Sequence, residues 1–135
     1  MTLAFLDTNV ILRHLLGDHP DHSPRATAFL HRIEHGETQV RTADTVVFEV
    51  VFTLERRYRL PKAVIRDALL PLIDLPGIVL PGKRRLHQAF DTYVDLNISF
   101  ADAYHAALMQ QLKLDRIVTF DKEFDRVAGV QRVEP

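Results

Sequence analysis

The chain contains no cysteine among its 135 residues. Disulfide bonds and thiolate zinc sites are therefore excluded, and a reducing compartment does not affect the fold. No apolar run reaches the roughly 18 residues that a membrane-spanning helix needs. The first six residues also lack the basic segment of a secretory signal. We therefore expect a cytoplasmic protein that does not enter the membrane.

Glycine and proline are few and scattered: five glycines and seven prolines stand singly between periodic segments. No internal repeat, low-complexity tract or Gly/Ser linker divides the chain. A chain of 135 residues with 47% apolar side chains suffices for one hydrophobic core but leaves no room for a second domain. We therefore predict a single domain over residues 1–135.

Neither sign of charge is in excess, since 17 Lys and Arg face 18 Asp and Glu for a formal net charge of −1. The net charge therefore neither favours nor excludes a polyanionic partner. Basic side chains do cluster locally, within residues 56–66 and at residues 83–85. Such clusters contact a phosphate backbone in some proteins and form a solvated surface in others.

Short apolar or β-branched runs alternate with helical patterns along the whole chain. The runs predict strands at residues 3–6, 39–42, 78–80, 116–120 and 130–133. The patterns between them predict helices at residues 9–16, 23–35, 44–59, from 61 onward, 83–96 and 100–113. Ser23 and Pro24 are suited to begin the second helix, and Gly36 to end it. Strands alternating with helices predict an α/β fold with a parallel sheet covered on both faces.

Two acids directly follow predicted strands: Asp7 follows residues 3–6, and Asp121 follows residues 116–120. Binding sites in parallel α/β sheets form outside the carboxyl ends of the strands, so both acids are candidates for an active site. The alternative for Asp7 is a capping role at the start of the next helix. Position alone does not separate these two roles.

Glu49 interrupts an otherwise apolar stretch, between Val46-Val47-Phe48 and Val50-Val51-Phe52. A helix that is apolar on all sides is buried, so we expect Glu49 to be buried as well. A buried carboxylate is unfavourable unless a positive or hydrogen-bonding group meets it. We favour a metal ion in that role, and the alternatives are a partner arginine or a helix edge that reaches water.

Asp102 stands in the first turn of the predicted helix at residues 100–113, three residues after Ser99. Serine followed by an acid at this spacing resembles a capping box, with Asp in the place of Glu. For Asp102 alone, capping and metal binding are equally compatible with the sequence.

Four acids occupy strand ends, a helix start or a helix face that a doubly wound sheet can bring to one crevice: Asp7, Glu49, Asp102 and Asp121. Four carboxylates in one crevice repel each other unless a dication neutralises them. Oxygen ligands favour the hard ions Mg²⁺ and Mn²⁺. Such ions activate water and stabilise charge on phosphoryl oxygens, so the four acids point to phosphodiester hydrolysis.

The same residues resemble the motifs of PIN-domain nucleases, and within them the VapC-type toxins of bacterial toxin–antitoxin pairs. The likeness covers essentially the whole chain. Asp7-Thr8-Asn9-Val10 is similar to the opening motif of the family, and Glu49 to its invariant helical acid. Ser99-Phe100-Ala101-Asp102-Ala103 is similar to the third motif, and Thr119-Phe120-Asp121-Lys122-Glu123-Phe124-Asp125 to the fourth.

This resemblance implies a Mg²⁺- or Mn²⁺-dependent endoribonuclease with a three-layer α/β/α fold, a homodimer in solution that is silenced by an antitoxin protein. It implies that the four acids hold the metal directly or through water, and that Asn9 and Thr119 orient these ligands. Asp125 is a further candidate, with a solvated position after Phe124 as its alternative.

Other protein classes fit the pattern less well. A phosphatase of the haloacid-dehalogenase type needs a second Asp two residues after its nucleophile, where this chain has Asn9. A receiver domain needs an acid pair before its first helix and a strand-end lysine, and it has no role for Glu49. Two alternatives within the family stay open: a solitary RNA-processing nuclease, and a PIN fold without catalysis that binds RNA or protein.

Overall fold

The computed structural model describes residues 3–135. These residues form six α-helices: α1 (Thr8–Leu16), α2 (His22–Glu34), α3 (Asp44–Arg56), α4 (Lys62–Ile73), α5 (Lys83–Asp95) and α6 (Phe100–Leu112). They also form five short strands: β1 (Ala4–Phe5), β2 (Val40–Arg41), β3 (Ile78–Val79), β4 (Arg116–Val118) and β5 (Gln131–Val133). A 3₁₀-helix at Lys122–Arg126 follows β4. The chain divides into two compact units, Met1–Lys83 and Arg84–Pro135.

In the unit Met1–Lys83, β1, β2 and β3 form a parallel sheet in that order. Ala4 is in register with Val40, and Val40 with Ile78. The end of β1 is fixed to β2, because the buried Thr42 hydroxyl donates a hydrogen bond of 2.9 Å to the Leu6 carbonyl. The Leu6 amide donates in turn to the Arg41 carbonyl at 2.8 Å. These two bonds hold the backbone directly before Asp7.

Helix α2 begins earlier than the sequence predicts, since Asp21 rather than Ser23 stands at its N-cap. The His19 ring explains the difference. Its Nδ1 atom accepts hydrogen bonds from the Asp21 and His22 amides, at 3.2 and 2.8 Å, and so satisfies the free N–H groups of the helix start. Ser23 is buried inside the helix, where its hydroxyl accepts from the His19 amide at 3.0 Å.

Helix α3 has one buried face and one exposed face, so the prediction that Glu49 is buried is wrong. The buried face consists of Val46, Val47, Val50, Val51 and Leu54. Glu49 lies on the opposite face with Phe52, whose side chain is 60% exposed. The apolar residue Phe52 therefore reaches solvent and does not extend the core around the helix. Of the two alternatives given for Glu49, the structure shows the helix edge that reaches water.

In the unit Arg84–Pro135, three aromatic rings hold α5 against the start of α6. The Phe90 and Phe100 rings lie 4.6 Å apart, and the Tyr93 and Phe100 rings 5.4 Å apart. Strands β4 and β5 pair in parallel, with Arg116 opposite Gln131 and Val118 opposite Val133. The 3₁₀-helix lies between these strands in the chain, so Asp121 follows the carboxyl end of β4.

The predicted α/β class with parallel strand pairing is confirmed, and each predicted strand and helix has a counterpart within a few residues. The single-domain organisation stays a prediction. No helix formed by residues 3–135 is both long and apolar enough to cross a bilayer.

Candidate metal centre

Three carboxylates converge in the unit Arg84–Pro135. Asp102, Asp121 and Glu123 each offer an oxygen that lies within 4.8 Å of the other two. Asp102 is in the first turn of α6, whereas Asp121 and Glu123 belong to the start of the 3₁₀-helix after β4. A strand end and a helix start therefore supply the two predicted acids, and the same turn supplies a third that the sequence interpretation missed.

Asp102 is held by the start of its own helix. Ser99 is the N-cap of α6, and its hydroxyl oxygen accepts a hydrogen bond from the Asp102 amide at 3.1 Å. A closed capping box would also bring the Asp102 carboxylate back to the Ser99 amide. Instead, the Ser99 amide donates to Glu123 Oε2 at 3.3 Å. The Asp102 carboxyl hydrogen-bonds with Asp121 and with the Ser99 side chain, so it belongs both to the helix start and to the acid cluster.

Asp121 caps the 3₁₀-helix, because its Oδ1 atom accepts from the Glu123 amide at 2.9 Å. The Thr119 hydroxyl accepts from the Asp121 amide at 3.0 Å. Thr119 thus contacts the backbone of the acid that it was predicted to orient. Asp121 is exposed, whereas Asp102 is partly buried.

The environment separates the pKa values of the two acids. Burial raises the pKa of Asp102 to about 6, and the hydrogen bond with Asp121 and the negative charges of Asp121 and Glu123 act in the same direction. The Glu123 amide lowers the pKa of Asp121, and so do the hydrogen bond with Asp102 and the charges of Arg126 and Arg132. The two carboxyls titrate as a pair that shares a proton below neutral pH.

In the unit Met1–Lys83, Asp7 stands at the N-cap position of α1 with an extended backbone, yet its side chain makes no capping hydrogen bond. The carboxylate is exposed. Asp7 and Asn9 line one cavity of about 680 Å³ together with Arg13 and Phe29. The capping alternative for Asp7 is therefore not the arrangement found, and both predicted residues face open space.

Glu49 is linked to the start of α1 through Thr8. The Thr8 hydroxyl donates a hydrogen bond of 2.8 Å to Glu49 Oε2, and Thr8 itself is only 4% exposed. Because Thr8 directly follows Asp7, this bond ties Glu49 to the end of the turn that carries Asp7. Thr8 belongs to the opening motif, but a threonine after an acid has many ordinary uses, so the sequence alone indicates no role for it.

Asp125 is engaged elsewhere: it accepts from Arg132 Nε at 3.1 Å, and its side chain is 57% exposed. Arg132 also pairs with Glu134 at 2.6 Å. The structure thus brings Asp102 and Asp121 together in one unit and ties Glu49 to Thr8 in the other. The convergence of all four predicted acids stays a prediction.

The family model of the PIN domain matches residues 4–130. The chain belongs to the PIN-domain family. Comparison with curated proteins gave no match. The match confirms the predicted three-layer α/β/α fold class, and it places the chain among domains that are in general nucleases dependent on divalent metal.

The residues of this PIN domain fit a hard divalent cation. Three carboxylates offer oxygen atoms within 4.8 Å of one another, and a mutually repulsive oxygen donor set of this kind suits Mg²⁺ or Mn²⁺. The pKa of Asp102 is raised mainly by burial and further by its bond with Asp121 and by neighbouring negative charge, so its ionised form is disfavoured when no cation is bound.

Proposed function

We propose that this PIN domain is a Mg²⁺- or Mn²⁺-dependent endoribonuclease that cleaves single-stranded RNA, and that it is the toxin of a toxin–antitoxin pair. The observation that carries the nuclease proposal is the convergence of Asp102, Asp121 and Glu123 within a PIN domain. The resemblance of the whole motif set to VapC-type toxins supports the finer assignment.

In this proposal Asp102 and Asp121 are metal ligands, and Asp7 and Glu49 act in the same reaction. An Mg²⁺ or Mn²⁺ ion held by these acids would supply an activated water for attack on a phosphodiester and would stabilise charge on the phosphoryl oxygens. Asp7 is available as a ligand because its side chain makes no capping bond, and the Asp102 carboxyl lies close to Asp121 in the acid cluster.

Thr119 and Asn9 have supporting roles in the proposal. Thr119 fixes the backbone of Asp121 through the bond to its amide. Asn9 shares the cavity edge with Asp7 and orients ligands or substrate there. Single-stranded RNA is the favoured substrate because its splayed backbone brings a phosphate to clustered carboxylates more readily than a stacked duplex does.

The nuclease proposal is tested by incubating the purified chain with matched single-stranded and duplex RNA at several Mg²⁺ and Mn²⁺ concentrations. We expect cleavage of the single strand only, and a loss of at least about 100-fold in each of Asp7→Asn, Glu49→Gln, Asp102→Asn and Asp121→Asn. Asp115→Asn is the matched control, because Asp115 is an exposed acid directly before β4, outside the cluster. Four folded variants with wild-type turnover would refute the assignment.

The toxin assignment is tested in cells. Expression of the wild-type chain should arrest growth, whereas expression of Asp102→Asn should not, and the product of an adjacent short reading frame should restore growth and co-purify as an antitoxin. Normal growth with altered RNA maturation would favour the solitary processing nuclease. Binding of RNA without metal-dependent cleavage would favour the non-catalytic module.

We also propose that the chain acts in the cytoplasm as a homodimer. The absence of cysteine is compatible with that compartment. Sedimentation equilibrium of the purified chain gives the oligomeric state directly, and a mass of one chain over the micromolar range would contradict the dimer.

A further inference from the structure

The start of α6 is capped by residues from two different elements. A helix start leaves N–H groups without partners inside the helix, and in a capping box two side chains of the same helix satisfy them. The first half of the box is present, since the hydroxyl of Ser99 accepts from the Asp102 amide. The second half comes from Glu123, 24 residues later, whose Oε2 atom accepts from the Ser99 amide at 3.3 Å.

Glu123 takes the place that Asp102 would otherwise fill. Asp102 stands three residues after the N-cap, which is the position whose acid reaches back to the N-cap amide in a closed box. With that amide already bonded to Glu123, the Asp102 carboxyl hydrogen-bonds with Asp121 and with the Ser99 side chain, and its oxygen lies within 4.8 Å of the other two acids. The Glu123 amide also donates to Asp121 Oδ1 at 2.9 Å, so one residue contacts both elements that carry the predicted ligands.

We propose that Glu123 is a positioning residue that completes the α6 cap from outside the helix, and thereby keeps the Asp102 carboxyl off the Ser99 amide and beside Asp121, where it binds metal. The part of this inference that concerns metal rests on the proposed function. The part that concerns capping rests on the two hydrogen bonds at the Ser99 turn alone.

The consequence of removing Glu123 follows from competition for one N–H group. In Glu123→Ala the Ser99 amide loses its partner, and the nearest carboxylate able to replace it is that of Asp102, which then turns away from Asp121. Residues that hold metal ligands in place are worth about 10- to 100-fold in metal affinity or activity. A bond of 3.3 Å at an exposed position lies at the weak end, so we expect a loss of about tenfold.

The test compares Glu123→Gln with Glu123→Ala, because Gln keeps an acceptor oxygen but removes the charge. For each variant, Mn²⁺ affinity is measured by calorimetry. The kcat and KM are measured on single-stranded RNA, and the melting temperature is measured without metal. We expect Ala to lose about tenfold more than Gln in Mn²⁺ affinity and in turnover, with KM changed less than kcat. Glu134→Gln and Glu134→Ala are the matched controls, since Glu134 is an exposed acid of the same unit.

Equal losses in Gln and Ala would overturn the positioning role and make Glu123 a ligand through its charge. Two variants indistinguishable from wild type would overturn it as well. If wild type itself binds no Mn²⁺, the proposed function fails, and the melting temperatures decide the capping claim separately. A lower melting temperature for Glu123→Ala than for Glu123→Gln would then support the external cap, and equal melting temperatures would overturn it.

Discussion

Removing the charge of Asp102 should stabilise the metal-free protein at neutral pH. The pKa of Asp102 is raised from 3.8 to about 6 in the folded chain, so the folded form binds more protons than the unfolded form between these two values. Stability therefore falls as pH rises through this window, and the unfavourable contribution is complete above pH 6. The shift corresponds to an upper limit of about 3 kcal/mol. Since the carboxyl is only partly buried and shares its proton with Asp121, we expect about 1 kcal/mol after screening.

The assay compares thermal unfolding of wild type and Asp102→Asn in excess chelator at pH 4 and at pH 7.5. About 1 kcal/mol corresponds to roughly 4 °C for a chain of this size, so the variant should melt higher by that amount at pH 7.5, with little difference at pH 4. Asn still accepts a hydrogen bond at a helix start, so a capping role alone would give no gain. A variant that melts lower by the same amount at both pH values would refute the reasoning and make Asp102 a structural residue. Asp115→Asn serves as the control for loss of one acid.

Three further results are expected. Asp7→Asn should change the free energy of unfolding by no more than about 0.5 kcal/mol, because the Asp7 carboxylate makes no capping bond, whereas RNA cleavage should be lost. Unfolding of the variant in thermal melts would show that Asp7 is structural. Thr8→Val removes the 2.8 Å bond to Glu49, and denaturant titration should show a loss of about 1 kcal/mol together with reduced turnover; wild-type turnover would separate Thr8 from the reaction. RNA affinity measured by fluorescence anisotropy should fall steeply with salt, since Lys and Arg contacts release counterions, and a flat dependence would exclude the basic clusters.

The element order could be predicted from the sequence because it depends on local signals. Apolar or β-branched runs predicted the five strands that residues 3–135 form, and Gly36, which has a φ of +76°, follows the end of α2 as expected. The positions of Asp7 and Asp121 after strands were equally local. The helix start at α2 was misjudged because a histidine ring, which is an uncommon cap, displaced Ser23 from that role.

The exposure of Glu49 and the role of Glu123 could not be predicted in the same way. A run of valines and phenylalanines reads as apolar on all sides, and only the packing of α3 shows that Phe52 and Glu49 share the exposed face. Glu123 contacts Ser99 across 24 residues of chain, and no local pattern encodes that pairing. Its one signal in the sequence is an acid two residues after Asp121, which is common in solvated turns.

Binding of a divalent cation by the clustered carboxylates and RNA cleavage should depend on each other. Wild type, Asp102→Asn and Asp121→Asn are each titrated with Mn²⁺ in a calorimeter, and the same preparations are then assayed on single-stranded RNA. We expect wild type to bind Mn²⁺ and cleave RNA, chelation to abolish cleavage, and both variants to stay folded while losing binding and turnover together. Undiminished cleavage in excess chelator, or full turnover in either folded variant, would contradict this dependence.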